Sequence, residues 1–185
     1  MKRIIVLFLL FVALMSNAQT VIQMVDYNGA YTVPCEVNGM KCRMLFDTGA
    51  SKVSLSESFC ELLLDNGLVS LSDFMGEGKM ITTDGRIIDH AELMLHTLRI
   101  GEMTLKNVPA VVINSQNAPM LFGQSAIQML GEVSIKGDKL YIKDGSNSAS
   151  RNSTNSYFER WDAKNYSYSN FTYGFGRKHL GEAEL

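Results

Sequence analysis

The chain has 185 residues, with 17 Lys and Arg against 19 Asp and Glu and a formal net charge of −2. That length fits one domain with a tail and is enough to bury one modest core. The near-neutral charge is scattered, with no basic stripe, and this excludes a nucleic-acid-binding surface and gives no pull toward acidic substrates.

Lys2-Arg3 is a basic start, Ile4 to Met15 is an apolar run, and Ser16-Asn17-Ala18 supplies short residues before Gln19. This order predicts a secretory signal over 1–18, cleaved after Ala18. The competing reading is a membrane anchor. The apolar run is too short for a comfortable span, and no cysteine follows it to carry a lipid. The expectation is an exported protein, periplasmic or secreted, with no integral membrane segment in the mature chain.

Val21 to Val25 reads as a first strand, broken by Tyr27-Asn28-Gly29-Ala30. Tyr31 to Phe46 then alternates on both sides of Asn38-Gly39, with Val33, Cys35 and Val37 before it and Met40, Cys42 and Met44 after. Period-two patterning around Asn-Gly is a hairpin with one buried face. Counting outward from a two-residue turn sets Cys35 opposite Cys42, with Cα atoms roughly 5.5 Å apart. Two readings stay open: a disulfide, which export permits, or two thiols packed as small hydrophobes. Cys60 has no such partner.

The second strand of that hairpin delivers Met44-Leu45-Phe46-Asp47-Thr48-Gly49-Ala50-Ser51. Asp47 therefore leaves a rigid strand into a glycine turn. Asp and Gly are ordinary turn residues, so the triplet alone says little; the apolar strand behind it is what points to a carboxylate facing a cleft. Val53 and Leu55 continue as a short strand. Ser56 is placed to cap a helix over 56–64, which Asp65-Asn66-Gly67 ends.

Met80 to Ile88 predicts a second hairpin, turning at Asp84-Gly85. Ala91 to Ile100 is a longer strand, Gly101-Glu102 turns it, and Met103 to Lys106 and Val108 to Ile113 follow. Met120 to Leu130 starts as a strand, bends at Gly123 and becomes a helical turn. Glu132 to Ile135 and Lys139 to Ile142 make a last hairpin about Gly137-Asp138. Closely spaced strands with two short helices predict a mainly β domain over 19–144. From Gly145 onward Ser, Asn and Tyr dominate and periodicity is lost, so 145–185 reads as a flexible tail. Three Cys and three scattered His show no metal-ligand spacing, and no metal or other cofactor is expected.

Three motifs in order carry a family resemblance over residues 31–143. They are the hairpin into Asp47-Thr48-Gly49-Ala50-Ser51, the turn Thr82-Thr83-Asp84-Gly85-Arg86, and the strand Leu121-Phe122-Gly123-Gln124 closing into Ser125 and a helix. The chain resembles the retropepsin-like aspartic peptidases, in particular their small exported bacterial members. The resemblance implies an acid-protease half-barrel with a flap hairpin and a polypeptide substrate. It makes Asp47 the catalytic carboxylate, with Thr48 and Gly49 holding the loop and Thr48 bonding across to a second subunit. It lays 82–86 over the substrate and passes Leu121 to Gln124 beneath the Asp47 loop. Phe122 departs from the pattern, since many relatives carry a smaller aliphatic residue there.

Peptide hydrolysis of this type needs two carboxylates at one water, sharing a proton because both cannot ionise. The sequence holds no second Asp-Ser/Thr-Gly, and Asp144-Gly145-Ser146 has the wrong order. The second carboxylate would then be Asp47 of another copy, in a two-fold homodimer. Two alternatives share the sequence: a peptide-binding module of the same fold in the cell envelope, and an envelope protein whose tail binds a partner.

Overall fold

The computed structural model describes residues 19–82 and 85–143. The expected leader, the tail, Asp144, and Thr83 and Asp84 of the second hairpin lie outside the described residues. Among the described residues eleven strands run in chain order: β1 (Gln19–Gln23), β2 (Val25–Tyr27), β3 (Ala30–Val37), β4 (Met40–Phe46), β5 (Val53–Ser56), β6 (Phe74–Ile81), β7 (Ile87–Ile100), β8 (Met103–Ile113), β9 (Leu121–Phe122), β10 (Glu132–Lys136) and β11 (Lys139–Lys143). Helix α1 (Glu57–Asp65), a 3-10 turn (Leu71–Asp73) and helix α2 (Gln124–Ile127) complete them. The molecule is mainly β, as the spacing of the strands predicts.

The strands form two sheets. The larger has eight strands in the order β2-β3-β4-β9-β5-β8-β7-β6, and a smaller one has the order β1-β11-β10. A short pairing of β3 with β7, Glu36 with Arg99 and Val37 with Leu98, curls the large sheet until it closes on itself. Asn38 makes that corner. Its backbone N–H donates to the Thr97 carbonyl and its Oδ1 accepts from the Thr97 N–H, both at 2.9 Å. Read from sequence, Asn38 is only a turn residue; in the fold it also closes the barrel. The core gathers inside, around Val33, Val37, Met44, Leu55, Leu93, Leu95, Ile100 and Val108, all fully buried.

The first hairpin matches its expected register, with Cys35 opposite Cys42 and Val37 opposite Met40. Asn38 and Gly39 both adopt positive φ, 47° and 93°, which is what a two-residue turn of this twist requires. The cysteines resolve to packed thiols: Cys35, Cys42 and Cys60 are all free. Cys35 lies buried on the face of Val33 and Val37, its Sγ 3.7 Å from the Val33 carbonyl. The candidate Cys35–Cys42 disulfide is therefore not formed in the structure.

Elsewhere the elements differ in extent. The first strand divides at Met24, which is 1% exposed and whose N–H donates to the Asp138 carbonyl at 2.8 Å. β1 then serves the small sheet and β2 the large one. The second hairpin is far longer than its tip, because β6 begins at Phe74 and β7 is unbroken from Ile87 to Ile100. Gly76 and Gly78 hide β6 from a propensity reading. The turn is also wider than a two-residue Asp84-Gly85 connection. The Gly85 N–H donates to the Thr82 carbonyl at 2.8 Å, the Thr82 N–H donates to Arg86 at 2.9 Å, and Ile81 pairs with Ile87. Gly85, at φ 82°, fills the left-handed position of a bulged connection. Helix α1 begins as expected, the Phe59 N–H donating to the Ser56 hydroxyl at 3.2 Å.

Candidate active site

Asp47 follows the last residue of β4, and its loop is fixed from below before any side chain is considered. β9 runs parallel to β4, pairing Leu45 with Leu121 and Phe46 with Phe122. The Asp47 N–H donates to the Phe122 carbonyl at 3.2 Å. Gly123 then turns the chain into α2, whose first N–H groups have no partner within the helix. They point at the far arm of the loop: Gln124 N–H donates to the Ala50 carbonyl at 2.8 Å and Ser125 N–H to the Ser51 carbonyl at 3.1 Å. The Gln124 side chain completes the set, donating to the Thr48 carbonyl at 2.9 Å.

Gly123 permits this crossing. A Cβ there would lie 2.2 Å from the Lys52 carbonyl oxygen and 2.9 Å from that of Ala50. Both obstacles are backbone, so no side chain fits. Below the crossing, Phe46 and Phe122 stack with centroids 6.0 Å apart and planes at 18°. Phe122 is fully buried. Phe122 is thus accommodated in an aromatic floor, where it meets Phe46. Ser125, unremarked in the sequence beyond its place after Gly123-Gln124, ties three segments. Its hydroxyl donates to the Pro109 carbonyl at 2.7 Å and accepts from the Val53 N–H at 2.9 Å.

Within the loop the Asp47 carboxylate is only half-buried. Oδ1 accepts from the Gly49 N–H at 2.8 Å, and no partner is present for Oδ2 among the described residues. A Cβ at Gly49 would approach Oδ1 to 3.2 Å, so glycine keeps that donor close. Thr48 and Gly49 are exposed beside it. One oxygen is oriented and the other is unpartnered among the described residues, an arrangement able to hold a water or to share a proton with a second carboxylate. The described part of the 82–86 turn stands at the end of β6 and β7, flanked by Ile81 and Ile87, which are 75% and 66% exposed.

Sequence reading missed a polar cluster next to the loop. Lys52 donates to Glu92 Oε1 at 2.8 Å, and His90 Nε2 lies 3.5 Å from the same oxygen. His90 and Glu92 sit on β7 and are buried. The available signal was a charged pair inside an otherwise apolar strand, His90-Ala91-Glu92-Leu93. Burial pushes the Glu92 carboxyl up, but hydrogen bonds and charge from His90 and Lys52 outweigh it and leave it below the usual carboxylate range. Among the described residues, no group of three His, Cys, Asp or Glu is placed to hold a metal.

Comparison with known proteins gives the family and the fold. A family model described as "gag-polyprotein putative aspartyl protease" matches residues 33–129, more than half of the chain. The chain belongs to this retropepsin-like aspartyl protease family. Among solved structures it is similar to a retropepsin-like aspartic protease from Rickettsia conorii, at 21% identity and a TM-score of 0.50. That match covers 68% of this chain and 89% of the other, and it shows a shared fold. Comparison with curated proteins gave no match. No helix among the described residues is long and apolar enough to cross a membrane.

Proposed function

We propose that this chain is an exported aspartic endopeptidase whose 19–144 domain works as a two-fold homodimer. Each subunit contributes Asp47, and the two carboxylates activate one water between them. The observation that carries the reading is the Asp47 carboxylate itself. One oxygen is oriented by Gly49 and the other is open, on a loop locked from below, in a member of an aspartyl protease family.

The chemistry follows from the pair. With one shared proton, one carboxylate takes a proton from the water while the other donates to the substrate carbonyl. The water adds to that carbonyl, and the resulting tetrahedral species collapses with proton transfer to the leaving amine. Thr48, exposed and with no hydroxyl partner among the described residues, is available to bond across the two-fold axis. The 82–86 turn closes over an extended polypeptide, with Ile81 and Ile87 as its apolar sides. The leader 1–18 directs export, to the periplasm or the medium, and 145–185 follows as a tail.

The deciding experiment is cleavage of an unfolded protein by the mature chain and by Asp47→Asn, with and without a pepsin-type inhibitor. Activity should rise faster than linearly with dilute enzyme and follow a bell-shaped, acidic pH profile, because the pair titrates as a unit. Equal cleavage by Asp47→Asn would exclude the mechanism. Peptide binding without cleavage by either form would leave the binding-module alternative.

A further inference from the structure

The cluster Lys52–Glu92–His90 has features that stability alone does not account for. Glu92 and His90 are buried, with side chains 9% and 6% exposed. His90 Nδ1 and Glu92 Oε2 have no hydrogen-bond partner among the described residues. A buried ion pair with atoms left unsatisfied is a poor stabiliser, since apolar residues of the same size often serve as well or better. Its location is informative. Lys52 directly follows Ser51 of the Asp47 loop, whereas Glu92 and His90 belong to β7, the strand that rises into the 82–86 turn. The cluster also reaches β6. Gly78 pairs with His90, and a Cβ at Gly78 would lie 2.8 Å from His90 Nε2. The imidazole therefore lies across the place a side chain on β6 would fill. Lys52, His90 and Glu92 thus link the loop to both strands of the hairpin.

The two ends of this link differ in rigidity. The backbone at Lys52 is fixed, its carbonyl packed on Gly123 and the following Val53 N–H held by Ser125. At the far ends of the hairpin strands, Ile81 and Ile87 are exposed. We infer that Lys52, Glu92 and His90 are positioning residues that fasten β6 and β7, the stem of the hairpin, to the catalytic loop, so that the stem keeps its register with Asp47. The inference rests on the peptidase reading. It assigns the three residues no contact with substrate.

The test uses the mature full chain as Lys52→Met, Lys52→Arg and Glu92→Gln. Active sites are titrated with a pepsin-type inhibitor, so that loss of folded enzyme does not mimic a kinetic effect. Lys52→Met and Glu92→Gln should raise KM about tenfold with kcat changed far less, because a loosened stem holds an extended substrate less well. Lys52→Arg keeps charge and reach and should restore KM. Amide hydrogen exchange across 74–81 should quicken in Lys52→Met, while 45–50 stays protected. That readout needs no catalysis. If the wild type cuts nothing, the peptidase reading fails, and exchange still decides the coupling. Unchanged KM and exchange in Lys52→Met, or exchange quickened equally in both segments, would overturn the inference. So would a failure of both Lys52→Met and Glu92→Gln to fold, since the cluster would then be a support of the whole core.

Discussion

The Asp47 loop and the 82–86 hairpin both connect strands, yet they are held by opposite means. The loop is gripped by backbone: Asp47, Thr48, Ala50 and Ser51 all bond to the segment from Phe122 to Ser125. An aromatic pair lies beneath it. The hairpin is held along its ladder and, lower down at His90 and Glu92, by Lys52, while Ile81 and Ile87 beside its turn face solvent. A reacting carboxylate needs fixed geometry, because small misplacements cost large factors in rate. In the proposed function the hairpin lies over a polypeptide and has to admit and release it. The difference teaches that changes to the loop's support should act through stability, and changes to the hairpin through substrate affinity.

The largest expected effect isolates chemistry from both. Asp47→Asn keeps an acceptor for the Gly49 N–H, so the loop should keep its shape. Activity per folded enzyme should fall by at least ~10³-fold, on the scale of lost acid–base catalysis. Thermal unfolding beside kcat/KM measures both at once, and a large loss of stability would mean that the loop needs the charge.

Breaking the floor comes next. Phe122→Ala removes a fully buried ring and its stacking on Phe46, and should cost about 3–5 kcal/mol in denaturant unfolding. Ser125→Ala leaves the Val53 N–H and the Pro109 carbonyl without that partner, and should cost roughly 1–3 kcal/mol. Substitutions at the hairpin should do the reverse. Ile81→Ser at an exposed position should change stability by no more than ~0.5 kcal/mol but raise KM for an extended peptide. If Ile81→Ser destabilises as much as Ser125→Ala, the hairpin is packed in solution and the contrast is lost.

A pH effect joins the two regions. Glu92 has a folded pKa below its unfolded value, so it contributes stability above the ordinary Glu range, near ~4.3. That contribution is lost as pH falls through the lower folded value. Stability curves of wild type and Glu92→Gln should converge at the acid end and separate above pH ~4 to 5. Parallel curves would show that Glu92 makes no charge-dependent contribution.

The smallest effect concerns the thiols. Burial pushes Cys42 up to about 11 and Cys60 up to about 12, and raises Cys35 as well. Thiolate is then scarce at neutral pH, and reaction is slow. Counting under denaturing, non-reducing conditions should find three thiols, each slow to react in the folded protein. A count of one would mean that the Cys35–Cys42 register had been oxidised.

Local chemistry made much of this molecule legible. Asn38-Gly39 adopts the positive φ its residues favour, and period-two alternation then set the pairing of Cys35 with Cys42 and the strand that delivers Asp47. Ser56 caps α1 because its side chain reaches an N–H three residues on. Such features depend on neighbours within a few positions, and the letters carry them. Sequence by itself also determined that a single Asp-Thr-Gly is present in these 185 residues, which is why the proposed dyad draws its second carboxylate from another copy. Tertiary structure alone decided how the Asp47 loop is held and what stands beside it. Phe46 meets Phe122, Ser125 bridges Val53 and Pro109, and Lys52 meets Glu92 only after β9 has slid in beside β4 and β7 has folded past the loop. These contacts join residues far apart in the chain, and no local pattern encodes which distant carbonyl a hydroxyl will find. Glycine shows the same division. At Gly39 it is required by its own turn, whereas at Gly123 it is required by the Lys52 carbonyl, a crossing that exists only once the chain is folded.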